Sequence, residues 1–209
     1  MAELPRDIPR GRLAAGLGIQ AALLVAAGLA MWAYSGRELR SFVDLGWLPA
    51  LQGLAFGGLL IGAAATIFRL FPGFLEKTTR LQAKMAGLFT RKPNLPVFVW
   101  IALCAGIGEE AAFRAGLLTL TGDAVGIPAA IVISALAFAL IHLAKPLITG
   151  AIVVIGLVFG LVYWWTGSLL TVMIGHAVYD IWALQTLHRE LLRLGYLDPA
   201  DCPAPGPSS

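Results

Sequence analysis

The chain has few charged residues and only two cysteines, and both shortages exclude classes of protein. Charged side chains make up 13% of its 209 residues and hydrophobic ones 58%, a balance unlike that of soluble globular chains. Cys104 lies in an apolar stretch and Cys202 in a proline-rich tail, so no disulfide framework is expected. The formal charge of +3 comes without a basic stripe interleaved with aromatic residues, so we expect no nucleic-acid partner.

Long apolar runs repeat along the chain at the length that a membrane requires. A bilayer core about 30 Å thick is spanned by roughly 20 helical residues. Six runs fit this template: residues 13–34, 48–68, 95–120, 127–143, 147–166 and 169–187. The predicted fold is therefore an all-α, polytopic membrane helical bundle with about six transmembrane helices. The length of the first run and its aromatic end favour a retained span over a cleaved signal peptide.

The positions of the basic residues predict the orientation of the chain. If the N-terminus is inside, Arg37 and Arg40 are the only basic residues placed outside, and positive charge is retained in the cytoplasm. We therefore expect an integral membrane protein with both termini cytoplasmic. The composition, rich in alanine, glycine and leucine, favours a bacterial cytoplasmic membrane.

The segment between the second and third runs predicts an amphipathic helix on the membrane surface. One side of its helical wheel holds Leu75, Thr79, Gln82, Met85, Ala86 and Phe89. The other side holds Lys77, Arg80, Lys84 and Arg91. Such a helix suits anionic lipid headgroups, with a solvated linker helix as the alternative. The chain then divides into residues 1–94 with this helix and two spans, a helical core at 95–190, and a flexible cytoplasmic tail at 191–209.

Six ionisable side chains lie inside the apolar runs, where each costs about 2.5 to 3.5 kcal/mol at a helix centre. They are Glu109, Glu110, Arg114, His142, His176 and Asp180. Glu110 and Arg114 are four residues apart, as are His176 and Asp180, so each pair shares a helix face. Groups this costly persist where they meet one another or water, which marks a functional site. A carboxylate among imidazoles suits a general base, and proteolysis is one chemistry that uses this set.

Three motifs occur in order within the core: EExxxR at 109–114, FxxxH at 138–142 and HxxxD at 176–180. Together they resemble the CPBP family (CAAX proteases and bacteriocin-processing enzymes, also called the ABI family). That family is related to the Ras-converting CAAX prenyl endopeptidase. The first two runs carry no signature of it.

The resemblance implies an intramembrane endopeptidase that acts on a membrane-associated protein or peptide. It implies that Glu109 is the general base that activates water and that His142 helps to hold or deprotonate this water. It further implies that His176 and Asp180 polarise the scissile carbonyl and stabilise its oxyanion. An ionised Asp180 cannot donate a hydrogen bond to an oxyanion, so we expect it to orient His176 instead.

The resemblance also implies supporting residues and leaves the role of a metal open. Glu110 with Arg114 is expected to brace the helix, and Phe138 to pack beside His142 and shape the pocket. A glutamate mechanism without a cofactor is favoured. Zinc is the alternative, and its ligands would then be Glu109, His142 and His176. An HExxH motif is absent from the sequence.

Two other functions compete with a protease. The first is a non-catalytic bacteriocin-immunity or scaffold protein that keeps the fold, and the complete set of motif residues argues against it. The second is a proton-coupled transporter in which Glu109, His142 and His176 form a relay, and the absence of inverted repeats argues against it.

Regular helices do not bring these side chains together. Counted along ideal helices from their outer ends, Glu109, His142 and His176 lie at depths of roughly 16, 22 and 10 Å. We therefore expect a tilted or broken third helix, with Gly106 and Gly108 as the suspected break. The prediction is that Glu109 and His142 lie within hydrogen-bond or one-water distance.

Overall fold

The computed structural model describes residues 10–88 and 95–197, and every regular element in these ranges is helical. The α-helices are α1 (Arg10–Tyr34), α2 (Trp47–Leu70), α3 (Pro72–Leu81), α4 (Leu95–Glu110), α5 (Thr119–Val125), α6 (Ile127–Ile141), α7 (Pro146–Thr166) and α8 (Leu169–Arg193). Between α4 and α5 runs a π-helical segment, Ala111–Leu118, called the π segment below. Two 3-10 turns cover Leu39–Ser41 and Ala83–Leu88. The prediction of an all-α membrane bundle is confirmed.

Four stretches of the described chain are long and apolar enough to cross a bilayer. They are Gly11–Tyr34, Trp47–Leu70, Leu95–Val125 and Pro146–Thr166. The helix α6 has only 15 residues, about 22 Å, which is shorter than a bilayer core of about 30 Å. The helix α8 is long enough at 25 residues, but it carries the ionisable residues of the third motif and a charged C-terminal end. Two of the six predicted spans therefore do not meet the requirement for crossing a bilayer. The span at 127–143 is too short as a helix, and the span at 169–187 is too polar.

Local sequence signals set the helix ends around the site. Gly126 has a φ of +84° and precedes α6, which carries a proline in its first turn. Gly167, in the left-handed conformation, ends α7, as glycine commonly does. The side chain of Ser168 caps α8 by accepting a hydrogen bond from the backbone N–H of Thr171. The chain therefore turns back between α7 and α8, which brings the ring of Phe159 on α7 next to that of His176 on α8.

The first two long helices, α1 and α2, carry no motif and pack directly on the elements that do. A Cβ atom on Gly53 or Gly57 of α2 would overlap Ile174 or Val178 of α8, so the two helices approach at backbone distance. In the same way α1 lies against the π segment at Gly28. Residues 1–94 thus contribute to the shape of the core, and the predicted domain boundary stays a prediction.

The surface helix α3 is shorter than the predicted amphipathic helix. It ends at Leu81, where a 3-10 turn replaces the α-helix. Over these ten residues the two predicted faces are present, because Thr79 is buried while Lys77 and Arg80 are exposed. The predictions for Phe89 and Arg91, and those for the chain from residue 198 onward, lie outside the described residues.

Candidate active site

The third apolar run changes its helix type directly after Glu110. A π-helix forms hydrogen bonds from i to i+5, so the local backbone ladder is displaced. Side chains take up two carbonyls of this stretch: Thr119 donates to the carbonyl of Arg114 at 3.3 Å, and Ser134 of α6 donates to that of Phe113 at 2.8 Å. The expected irregularity is present, but it follows the two glutamates and does not lie at Gly106 and Gly108 before them.

The helix α1 packs against the start of the π segment. A Cβ atom on Gly28 would overlap the carbonyl oxygen of Ala111, and one on Gly116 would lie 3.0 Å from the Cα of Gly28. This approach leaves no room for a side chain at position 28. The backbone that follows the motif glutamates is therefore held from outside by a helix that carries no motif.

His176 lies at the centre of a cluster of three carboxylates. Its Nδ1 atom is 2.8 Å from Oε1 of Glu110. Its Nε2 atom is 3.3 Å from Oδ2 of Asp180 and 3.8 Å from Oε2 of Glu109. Ionised carboxylates only accept hydrogen bonds. Both ring nitrogens therefore form hydrogen bonds if the imidazole is doubly protonated. If the imidazole is neutral, one of the carboxyl groups must carry a proton and donate it to the ring nitrogen that has no hydrogen.

Glu110 and Arg114 form a buried ion pair, with 3.2 Å between Oε2 and Nε and side-chain exposures of 0% and 1%. The guanidinium carbon lies 4.7 Å from the ring centre of Phe138 and 5.4 Å from that of Phe159. Its Nη2 atom donates to the carbonyl of Gly156 at 3.3 Å. A charge removed from water needs such partners, and this arginine receives them from three different helical elements.

His142 lies at the exposed rim of this cluster, at the C-terminal end of α6. Its Nδ1 atom is 2.7 Å from the carbonyl of Phe138, and its ring packs edge-on against the Phe138 ring at 4.7 Å. A carbonyl only accepts, so Nδ1 is the protonated nitrogen and Nε2 is left as an acceptor. In the described part of the chain His142 makes no direct hydrogen bond or ion pair with Glu109, so the water-bridged form of that prediction is the one left to test.

Residues 91–182 match the model of one protein family, described as type II CAAX prenyl endopeptidase Rce1-like. The matched segment contains all three motifs. This segment is similar to the Rce1-like family. The resemblance to CAAX proteases is thereby confirmed, and the match suggests a CAAX-type intramembrane peptidase with a membrane-associated protein substrate. No curated protein and no solved structure matches the chain.

The side chains of the Rce1-like segment do not fit the alternative zinc set. Among the described residues, no group of three or more histidine, cysteine, aspartate or glutamate side chains is placed to hold a metal ion. His176 directs its two nitrogens at Glu110 and Asp180, while the protonated Nδ1 of His142 binds a carbonyl. As they are placed, Glu109, His142 and His176 therefore do not form a zinc site.

Sequence reasoning missed three contributors to the Rce1-like site. It did not predict that Glu110 contacts His176, because the pairing of Glu110 with Arg114 already accounted for that carboxylate. It also missed Ser134 and Phe159, which lie on apolar stretches without any motif. A lone serine or phenylalanine in such a helix has no periodic or chemical signal, so only the tertiary contacts reveal their positions.

Proposed function

We propose that this protein is an intramembrane endopeptidase that hydrolyses a peptide bond of a membrane-associated protein or peptide with water activated by Glu109. One observation carries the proposal: Oε2 of Glu109 lies 3.8 Å from Nε2 of His176, with Asp180 on the same nitrogen. A base and a hydrogen-bond donor thus face one small region, which is the arrangement that addition of water to a carbonyl requires. The Rce1-like match supports a peptidase.

Glu109 acts as the general base. Its side chain is 12% exposed, so a water molecule can reach it while bulk solvent is largely kept away. The water gives one proton to Glu109 as its oxygen attacks the scissile carbonyl carbon, and the unprotonated Nε2 of His142 accepts a hydrogen bond from the O–H that remains on this oxygen. Glu109 then passes its proton to the leaving amine. The products are a new carboxyl group and a new amine.

His176 stabilises the oxyanion that forms on the carbonyl oxygen. Its Nε2–H donates to this oxygen, and preorganised donors of this kind lower the barrier most where water is excluded. Glu110 holds the ring from Nδ1, while Asp180 accepts the Nε2–H before substrate binds and then shares this hydrogen with the carbonyl oxygen. An ionised Asp180 has no proton to donate itself. Arg114 in turn fixes Glu110. In this mechanism Glu109 and His176 contact the reacting atoms, Glu110 and Asp180 position His176, and Arg114 positions Glu110.

The protein is further proposed to lie in the bacterial cytoplasmic membrane with both termini in the cytoplasm. The basic residues of α3 and its neighbourhood support this placement. Arg69, Lys77 and Lys84 are exposed, next to the apolar end of α2. Anionic headgroups of the inner leaflet are the partner that this combination suits.

The test is cleavage by purified protein in lipid nanodiscs. A library of membrane-derived peptides is incubated with the wild type, with Glu109→Gln and with Glu38→Gln, and products are identified by mass spectrometry. We expect defined products from the wild type and from Glu38→Gln, since Glu38 is exposed and its carboxylate pairs with Arg40 and not with a motif residue, and none from Glu109→Gln. Cleavage by all three proteins at one rate overturns the role of Glu109, and cleavage by none of them overturns the proposal and favours a scaffold or immunity role.

The same assay separates the glutamate mechanism from the zinc alternative. We expect the rate to be unchanged after dialysis against a strong chelator. Loss of cleavage on chelation, restored by added zinc, would move the site to a metalloprotease mechanism.

A further inference from the structure

Phe159 lies on α7, outside the three motifs, yet its ring touches the centre of the site. It is 1% exposed. Its ring centre lies 5.2 Å from that of His176 with an interplanar angle of 65°, and 5.4 Å from the guanidinium carbon of Arg114. On a further side its ring packs against Phe56 of α2 at 4.9 Å. A single apolar side chain therefore contacts two of the polar residues of the site at once.

The helix α7 holds Arg114 at two points of the same face. Gly156 precedes Phe159 by three residues, and its carbonyl accepts a hydrogen bond from Nη2 of Arg114. Arg114 pairs with Glu110, and Glu110 contacts Nδ1 of His176. Phe159 thus contacts both ends of a buried series of three polar residues, Arg114, Glu110 and His176.

An aromatic ring is favourable at this position because the guanidinium of Arg114 is buried with too few hydrogen-bond partners. Its Nη1 atom has no hydrogen-bond partner among the described residues, and its Nε atom meets Glu110 at 3.2 Å without hydrogen-bond geometry, although the group is fully buried. The faces of Phe138 and Phe159 on the guanidinium supply attraction to the cation in place of water. The edge-on contact with His176 restricts the plane of the imidazole. An aliphatic side chain of similar volume supplies neither interaction.

We propose that Phe159 is a positioning residue of the hydrolytic site. It fixes the guanidinium of Arg114 and the ring plane of His176, so that Glu110 stays on Nδ1 and Nε2 stays directed at Glu109 and Asp180. The inference rests on the proposed peptidase function for its kinetic consequence. Its structural consequence, a single orientation and tautomeric state of the His176 ring, can be measured without any substrate.

The first experiment is nitrogen NMR of the histidine rings in nanodiscs. The chain has three histidines, so His176→Gln assigns the signal of interest. The variants are Phe159→Met, which keeps volume but loses the ring, and Phe42→Met as the matched control. Phe42 is a buried aromatic of the same apolar cluster that packs on Trp32, and among the described residues its ring contacts neither Arg114 nor His176. We expect one set of His176 ring-nitrogen signals in the wild type and in Phe42→Met, and at least two sets in Phe159→Met. An unchanged spectrum in Phe159→Met overturns the proposal.

The second experiment keeps the shape of the ring, so that folding is not at risk. Incorporation of 3,4,5-trifluorophenylalanine at position 159 weakens the negative face of the ring, and the same residue at position 42 is the control. On a cleaved peptide we expect kcat to fall about tenfold to a hundredfold for position 159, with KM unchanged because a residue 1% exposed does not meet the substrate. Position 42 should match the wild type. Equal rates at both positions overturn the proposal.

The outcomes separate this inference from the proposed function. If Glu109→Gln abolishes cleavage while both changes at position 159 leave kcat and the His176 spectrum intact, only the role of Phe159 fails. If the His176 signals split in Phe159→Met but Glu109→Gln cleaves normally, the positioning role stands and the proposed mechanism fails.

Discussion

The two oxygens of Glu110 have different partners: Oε1 faces His176 at 2.8 Å and Oε2 faces Arg114 at 3.2 Å. Neither Glu110 nor Arg114 is reached by solvent. A buried ion pair is expensive to form, but removal of one partner is worse, because the other charge is left uncompensated. The pair is thus better understood as a device that fixes the position of His176 than as a source of stability.

A double-mutant cycle tests this coupling. Glu110→Gln and Arg114→Met should each lower the free energy of unfolding by about 3 to 5 kcal/mol, whereas the double variant should lose clearly less than the sum. The measurement is unfolding in mixed micelles for the four proteins. Strictly additive losses would contradict a direct buried pair.

Asp180 offers a second test at the scale of one residue. An asparagine keeps an oxygen that can accept from Nε2–H of His176, so Asp180→Asn should retain measurable cleavage. In Asp180→Ala the ring loses this partner at 3.3 Å, and we expect a fall in kcat of about a hundredfold. The measurement is kcat of Asp180→Asn and Asp180→Ala on the same peptide. If both variants are equally inactive, the charge of Asp180 is needed and its role is not orientation alone.

Much of this cluster could be predicted from the residue types. Charged groups in apolar runs are costly, so Glu109, His176 and Asp180 were expected to meet, and they do. Two features could not be predicted in this way. The contact of Glu110 with His176 depends on how α4 and α8 are rotated, and spacing within one helix does not report that rotation. The role of Phe159 could not be predicted, because a phenylalanine in an apolar helix gives the same sequence pattern whether its ring packs on lipid or on an arginine.

At the scale of elements, the π segment and α1 form one packing unit. The backbone of α1 at Gly28 lies so close to Ala111 that a methyl group there would displace the π segment. Since Glu110 directly precedes this segment, a displacement is transmitted to the carboxylates. The helix without a motif is therefore expected to influence the chemistry.

Gly28→Ala tests this arrangement. Overpacking should lower the free energy of unfolding by about 1 to 3 kcal/mol and should also reduce cleavage. The matched control is Gly58→Ala in α2, where an added Cβ meets no atom within 4 Å. There the better helix propensity of alanine should be neutral or stabilising by up to about 1 kcal/mol. Equal effects of the two substitutions, measured by unfolding in micelles, would show that α1 does not hold the π segment.

The pattern of apolar residues predicted the positions of the long helices. It did not predict the π segment or the exact end of α6. Runs of apolar residues gave every long helix, because burial in lipid demands them. The π segment is a shift of the hydrogen-bond ladder by one residue, which leaves composition unchanged and is therefore invisible in the pattern. The end of α6 at Ile141 was predicted two residues too late, because Leu143 continues the apolar run although its φ of +44° lies outside the helix.

At the scale of the whole molecule, the orientation of the chain decides from which side a substrate is reached. Native Cys202 lies near the C-terminus and Ser41 between α1 and α2. With both termini inside, a membrane-impermeant maleimide should label Ser41→Cys, in a background that carries Cys104→Ser and Cys202→Ser, in intact cells. It should label Cys202 in a Cys104→Ser background only after permeabilisation. The reverse pattern would contradict the proposed topology and would place α3 outside.

The most direct test of the central claim is the rate of peptide cleavage by Glu109→Gln relative to the wild type, in nanodiscs and in the presence of chelator. Both proteins are first shown to be folded by their His176 ring signals. The account predicts that kcat falls by about two to four orders of magnitude, the contribution of a general base, while Glu38→Gln cleaves at the wild-type rate. A folded Glu109→Gln that cleaves as fast as the wild type would contradict it, since the carboxylate that lies 3.8 Å from Nε2 of His176 would then have no part in activating water.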